Sequence, residues 1–172
     1  MRKRSNSDSW FVNRGSFEVK NKLINRAKNN AYALLRQRPR SEYEIRNRLK
    51  LKGYDDTIIE EIVAFLKKTG DIDDHKFARI WMESRMHRNP MGDVVLKHEL
   101  RSKGVKDSII EATLSEKAAK YDEYEVAFSM ASERFKRFKK LDRAKAMKRI
   151  YDFLMRRGFK YDTISRIIEN LK

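Results

Sequence analysis

The residues of this sequence that could take part in chemistry are mostly lysine and arginine, and their chemistry is the binding of phosphate and other anions. The 172-residue chain has 41 lysines and arginines against 25 aspartates and glutamates, which gives a formal net charge of +16. Such an excess predicts a polyanionic partner, with nucleic acid first and an acidic membrane surface second.

Residues that would support catalysis or metal binding do not form the patterns that those functions need. His75, His87 and His98 lack the spacing of a metal-binding pair, and the sequence contains no cysteine. The acidic run at 71–74 begins like a calcium loop, but Lys76 stands where the EF-hand glycine belongs, so helix capping is the better interpretation. We therefore expect no enzyme activity, no metal and no cofactor.

The basic residues are concentrated in three segments of the chain. The net charge is +5 over 36–52, +4 over 85–106 and +10 over 134–160, whereas 55–75 and 107–125 carry −5 and −4. A charge run is usually only a solvated helix face, but an excess of ten repels itself and is better explained by a partner that neutralises it. The candidate DNA- or filament-binding residues from these segments are Arg46, Arg48, Lys50, Lys52, Lys97, Arg101, Lys103, Arg134, Lys136, Arg137, Lys139, Lys140, Arg143, Lys145, Lys148, Arg149, Arg156 and Arg157.

Local signals around the first basic segment predict the elements that position it. Ser41 and Glu44 have the spacing of a capping box, which predicts a helix start. Gly53 supplies the left-handed residue of a Schellman stop at the end of that helix. Asp55 or Asp56 is then expected to cap the next helix. The pattern therefore predicts two helices joined by a glycine turn.

The same pattern recurs around Gly104 and Gly158, at spacings of 51 and 54 residues. Pro39 and Pro90 stand fourteen residues before the first two glycines and are expected to end a preceding helix. These periods predict an all-α fold of three tandem three-helix repeats that form an elongated, curved array. Stacked in register, the basic helices would form one continuous stripe. The expected domains are an arm at 1–20 and repeats at 21–70, 71–120 and 121–172.

The expected N-terminal arm is polar and basic, and we interpret it as mobile, with extended backbone near Phe17 to Val19 and a helix only from about Lys20. The alternative is an arm that contacts the partner. No apolar run approaches the length of a membrane span, and the first residues lack the apolar core of a signal peptide. The absence of cysteine suits a reducing compartment. We therefore expect a cytoplasmic protein that does not enter a membrane, and a monomer.

Three functions compete on the residues alone. One is a non-enzymatic regulator that binds a protein–DNA assembly, the second is a free-standing nucleic-acid-binding helical repeat protein, and the third is a helical scaffold for an acidic protein. A helix-turn-helix reader of DNA sequence is disfavoured, because the helices after Gly53 and Gly104 are acidic and phosphates would repel them.

Four segments of the chain carry a further signal: RSEYEIRNRLKLKGY, TGDIDDHKFARIWMESR at 69–85, ELRSKGV at 99–105 and IYDFLMRRGF at 150–159. In this order they resemble the signatures of the RecX family of recombination regulators. Where the family often has a Gly-Pro pair, this chain has Asn89-Pro90-Met91-Gly92. The resemblance implies a stack of three-helix repeats with no catalytic residues.

The same resemblance implies the partners. Proteins of this family bind the RecA recombinase, lie in the groove of the RecA–DNA filament and restrain its ATPase, strand-exchange and coprotease activities. A role in DNA repair and the SOS response follows, with single- and double-stranded DNA as partners beside RecA. The charge distribution independently suggests a long polyanionic partner, but only the resemblance names RecA.

Overall fold

The computed structural model of the chain describes residues 7–138 and 140–171, and this part consists of nine helices and no strand. The predicted all-α fold of three-helix repeats is confirmed. Residues 1–6 of the expected arm and the candidate Lys139 lie outside the described residues. The helices are α1 (Ser7–Gln37), α2 (Glu42–Leu51), α3 (Asp56–Lys68), α4 (Asp74–Arg88), α5 (Asp93–Ser102), α6 (Asp107–Lys120), α7 (Glu123–Lys136), α8 (Arg143–Arg156) and α9 (Tyr161–Asn170).

The first helix begins earlier than the sequence predicted. It starts at Ser7 rather than near Lys20, so the extended backbone expected at Phe17 to Val19 is wrong. The segment 7–37 contains no proline and a single glycine, and an existing helix gains one backbone hydrogen bond for each residue that it adds. The helix therefore continues from Ser7 until Gln37, two residues before Pro39.

The predicted turns are confirmed in detail. The Ser41 side chain accepts a hydrogen bond from the Glu44 amide, and the Glu44 side chain accepts one from the Ser41 amide. Gly53 has a φ of 82°, a conformation that costs glycine little. Its amide donates to the Lys50 carbonyl at 2.9 Å, and the next amide donates to the Leu49 carbonyl at 3.3 Å. The same two bonds close α5 and α8, so all three turns are Schellman stops.

The aspartates after these glycines do not cap helices through their side chains. Asp55 occupies the N-cap position of α3 without making a side-chain cap bond, and Lys106 and Lys160 occupy the same position before α6 and α9. Asp56 and Asp107 instead lie in the first turn of their helices, where each contacts a basic residue of the preceding helix. Ion pairing between helices has replaced capping at these residues.

The chain divides into two compact units, residues 1–73 and 74–172. The first unit is the first repeat, α1 to α3, and the second unit contains the other two repeats. In each repeat the residues eight and four positions before the glycine are fully buried in the core: Ile45 and Leu49, Leu96 and Leu100, and Ile150 and Leu154. Among the described residues, no helix is both long enough and apolar enough to cross a bilayer.

Inside the second unit, the second and third repeats meet through backbone as well as side chains. The Gly92 amide donates to the Arg157 carbonyl at 2.9 Å, and a Cβ on Gly92 would lie 1.9 Å from the Gly158 carbonyl oxygen. Beside this contact, Asp93 pairs with Lys117 at 2.7 Å and with Lys160 at 3.8 Å. The glycine permits a backbone approach that any side chain would prevent, and this approach fixes the two repeats against each other.

Candidate nucleic-acid interface

Basic residues of the first repeat are neutralised by carboxylates of the same repeat. Arg46 lies seven positions before Gly53 and pairs with Glu60, seven positions after it. Lys50, three positions before, contacts Asp56, three positions after, at 3.4 Å. The basic face of α2 and the acidic face of α3 therefore meet across the turn.

The second repeat has ion pairs at the same positions. Lys97 pairs with Glu111, and Arg101 pairs with Asp107 at 2.7 Å, again seven and three residues on either side of the glycine. The hydrogen bond from Arg101 holds the pKa of the Asp107 carboxyl below its ordinary value, and the same bond raises the pKa of Arg101. Both groups are charged near neutral pH, and each is the partner of the other in an ion pair.

The third repeat has uncharged residues at all four of these positions. Tyr151 and Ser165 stand seven residues before and after Gly158, and Met155 and Tyr161 stand three residues before and after it. Met155 is 44% exposed and Tyr161 is 64% exposed. The helix that follows the glycine in this repeat thus supplies no carboxylate at the positions that neutralise the other two repeats.

As a result, the candidate binding residues of the third repeat have no counter-charge of this kind. Among the described residues, no ion pair joins any of the ten candidates in this repeat to a carboxylate, and eight of them are exposed, all except Arg134 and Arg157. We call these ten the third-repeat basic surface: Arg134, Lys136, Arg137, Lys140, Arg143, Lys145, Lys148, Arg149, Arg156 and Arg157.

Helix α8 presents part of this surface along one face. Lys145, Arg149 and Arg156 follow one another at spacings of four and seven residues, which places them on the same side of a helix. The Arg149 guanidinium lies 5.7 Å from the ring centre of Phe138. Asp142 caps the helix by accepting bonds from the amides of residues 144 and 145. A capped helix therefore holds these three cations in a row.

Two half-buried arginines of the surface share one aromatic ring. The guanidinium carbon of Arg134 lies 4.3 Å from the ring centre of Phe153, and that of Arg157 lies 5.3 Å from it. Burial first, and then the charge of Arg134, lower the pKa of Arg157. Phe153 was not among the sequence candidates, although its spacing of four residues from Arg157 on a helix would have indicated the contact.

The candidates in the first two repeats are divided by the structure. Four are held in the ion pairs described above: Arg46, Lys50, Lys97 and Arg101. Arg48 and Lys52 are exposed, with no ion pair among the described residues, and the Lys103 amine lies 4.0 Å from the ring centre of Trp81. The sequence indicated the basic and acidic helices but did not predict that they neutralise each other.

Comparison with protein families matches all three repeats separately. The model of the RecX first three-helix domain matches residues 27–66, that of the second three-helix domain matches residues 73–114, and that of the third matches residues 121–168. The three matches stand in chain order and together span most of α1 to α9.

Individual relatives agree with the family models. The regulatory protein RecX of Prosthecochloris aestuarii is 35% identical over 146 residues, which cover 85% of this chain and 93% of that protein. The regulatory protein RecX of Clostridium acetobutylicum is 30% identical over 148 residues, which cover 84% and 68%. The crystal structure of RecX from Lactobacillus salivarius matches with a TM-score of 0.74 at 26% identity, over 86% of this chain and 96% of that one. The chain with this unpaired basic third repeat belongs to the RecX family of regulatory proteins.

Proposed function

We propose that this protein regulates the RecA recombinase by binding the RecA–DNA filament in its groove, chiefly as an inhibitor of ATPase, strand-exchange and coprotease activity. It acts by binding alone, as a cytoplasmic monomer. Two observations support this function, namely membership of the RecX family and the third-repeat basic surface.

The lack of counter-charges on the third repeat is the observation that carries the DNA half of this proposal. A lysine or arginine that is already paired with a carboxylate must give up that pair before it binds a phosphate. An unpaired one loses only its hydration and counterions, and the release of DNA counterions then favours binding. We therefore assign the principal phosphate contacts to Lys145, Arg149 and Arg156 and their neighbours on the third repeat.

The first two repeats suit a different part of the filament. Their paired charges expose both signs side by side, as in Arg46 with Glu60 and Arg101 with Asp107. Mixed charge of this kind complements a protein surface better than a uniform line of phosphates. We assign these two repeats to contacts with RecA subunits, so that the chain bridges protein and DNA and blocks filament growth and the incoming duplex.

The test is a titration of purified protein against the DNA-dependent ATPase of RecA. The expected result is inhibition that saturates near stoichiometric amounts and weakens as salt rises. No effect at stoichiometric amounts would contradict the function. Tight DNA binding with a steep salt dependence that RecA does not alter would favour the alternative, a free-standing nucleic-acid-binding protein.

A further inference from the structure

Two arginine side chains in the second unit contact the same aromatic ring, and neither has a carboxylate partner among the described residues. Arg134 comes from the last turn of α7 and Arg157 directly follows α8, and both guanidiniums lie against Phe153 of α8. Neither forms an ion pair with a carboxylate among the described residues. The Arg134 Nε is buried and has no hydrogen-bond partner within the described part of the chain.

This arrangement leaves charge that the protein itself does not compensate. Contact with an aromatic face offsets part of the cost of removing a guanidinium from water, but it does not cancel the repulsion between two cations. The pKa of Arg157 is lowered first by burial and then by Arg134, which is the direction expected for uncompensated neighbours. An anion bound beside the two groups would relieve both effects.

The turn of the second repeat fixes the position of Arg157. Its guanidinium donates to the Asn89 side chain and, at 3.4 Å, to the Pro90 carbonyl, while its own carbonyl accepts from the Gly92 amide at 2.9 Å. These acceptors are neutral, so they orient the guanidinium without neutralising it. A cation held in place before its ligand arrives loses less conformational freedom on binding. The Asn-Pro-Met-Gly turn thereby supports a site built on the third repeat.

We propose that Arg134 and Arg157 form a phosphate-binding site at the junction of the second and third repeats. Both side chains pack against Phe153, and hydrogen bonds to the 89–92 turn orient Arg157. Guanidinium groups bind phosphate oxygens with paired hydrogen bonds, which an ammonium group cannot reproduce. The site rests on the proposed function for its source of phosphate, which is the backbone of DNA. Free phosphate is the other source of the same chemistry.

The test measures binding of a fluorescent single-stranded oligonucleotide by anisotropy. Arg134→Lys and Arg157→Lys keep the net charge but remove the guanidinium, and we expect each to weaken binding about tenfold. Arg166→Lys is the matched control, because Arg166 is an exposed arginine of the same repeat that lies 4.4 Å from the ring centre of Tyr124 and is outside the third-repeat basic surface, so its change should alter affinity less than about twofold. Affinities of Arg134→Lys and Arg166→Lys that agree would overturn the site.

Two further measurements guard against an indirect effect on folding. Arg157→Lys could loosen the junction, but Arg134 makes no hydrogen bond or ion pair with the second repeat among the described residues, so Arg134→Lys should leave the junction intact and unfold close to the wild-type midpoint. Asn89→Ala removes one hydrogen-bond acceptor of the Arg157 guanidinium and keeps both arginines, and we expect a loss of oligonucleotide affinity between those of the wild type and Arg157→Lys. If Asn89→Ala binds as well as the wild type while unfolding at the same midpoint, the orienting role of the turn is wrong.

A second arm separates this site from the proposed function. Thermal stabilisation by inorganic phosphate is measured for the wild type and for Arg134→Lys. If the wild type fails to bind the oligonucleotide but phosphate stabilises it and not the variant, the site stands and the proposed function fails. If the wild type binds DNA and Arg134→Lys binds equally well, the site fails and the function stands. Loss of RecA inhibition with DNA affinity unchanged would assign the arginines to a carboxylate of the partner protein, and would overturn the phosphate site.

Discussion

Lys117 shows how one residue can depart from the repeat pattern and be accommodated. It lies thirteen positions after Gly104, where the other two repeats have the buried leucines Leu66 and Leu171. Its side chain runs through the core, and Lys117 is only 3% exposed. The amine reaches the Asp93 carboxylate at 2.7 Å, beside Lys160. A charge at this buried position is tolerated because α5 supplies the partner.

Substitution of Lys117 tests whether the Asp93 pair compensates its buried charge. We expect Lys117→Ala to lower the free energy of unfolding by about 3 kcal/mol, since it creates a cavity and removes the closer partner of Asp93. Lys117→Leu, which restores the residue of the other repeats, should cost less than about 1.5 kcal/mol, because Lys160 remains near Asp93. Urea unfolding measures both, and a greater loss for leucine than for alanine would be inconsistent with this account.

A pH-dependent bond ties α1 to the turn after α3. The Tyr32 hydroxyl donates to the Asp71 carboxylate at 2.8 Å. Hydrogen bonds from Thr69 first, and then from Tyr32, hold the pKa of Asp71 below its ordinary value, and the bond to Asp71 raises the pKa of Tyr32. The stabilisation is therefore present when Asp71 is ionised and Tyr32 is protonated.

Tyr32→Phe removes this bond, and we expect a small loss of stability with a defined pH window. The difference from the wild type should be constant between about pH 5 and pH 9. It should shrink as the pH falls from the ordinary pKa of an aspartate through the lowered pKa of Asp71, and again as the pH rises from the ordinary pKa of a tyrosine through the raised pKa of Tyr32. Thermal melts across this range measure it, and a difference that does not change with pH would refute the assignment.

Among the helices and turns, the glycines serve two distinct purposes. Gly53 adopts a positive φ in open space, where a Cβ would meet nothing within 4 Å. Gly92 has an ordinary φ of −75°, but a Cβ there would meet the Gly158 backbone. The first glycine is required by the conformation of a turn, and the second by contact between two repeats.

Alanine at these glycines should therefore differ in effect. Gly53→Ala carries only the cost of a left-handed alanine, about 1 to 2 kcal/mol. Gly92→Ala must separate backbone that is in contact, so we expect a loss above about 3 kcal/mol and earlier unfolding of the second unit. Equal losses for the two variants, measured by denaturant unfolding, would show that the Gly92 contact does not hold the junction.

Local sequence signals were sufficient to predict most of the helices and turns. The Ser41–Glu44 capping box, the glycine stops and the helix ends before Pro39 and Pro90 all depend on neighbouring residues, and these predictions are confirmed. The start of α1 was wrong because no local signal marks a boundary within that segment. The pairing of Asp56 with Lys50 was not predicted, because that contact depends on how two helices pack.

The candidate site was predictable in its charges but not in its contacts. The excess of basic residues at 134–160 is plain in the sequence. Carboxylates seven and three positions after a glycine pair with the cations at the same distances before it. The sequence shows these carboxylates, but only the packing of the two helices shows that they reach the cations. The contact between Arg134 and the Phe153 ring joins residues of two helices, and no pattern within one helix predicts it.

For the whole molecule, the distribution of counter-charges matters more than the net charge of +16. The first repeat neutralises Arg46 and Lys50 internally, the second does so for Lys97 and Arg101, and the third has no carboxylate paired with the ten cations of its basic surface among the described residues. We propose that a RecX protein built in this way uses its third repeat to bind phosphate and its first two repeats to bind protein. The central claim is that the unpaired cations, rather than total charge, determine inhibition of RecA.

The most direct test compares two triple variants of equal charge in the RecA ATPase titration. One carries Lys145→Gln, Arg149→Gln and Arg156→Gln on the third-repeat basic surface, and the other carries Lys50→Gln, Lys97→Gln and Arg101→Gln at the paired positions. Circular dichroism should show unchanged helical content in both. We predict that the first variant needs at least about tenfold more protein to inhibit RecA, and that the second inhibits nearly as well as the wild type. Equal loss of inhibition in both variants, or a greater loss in the second, would contradict the account.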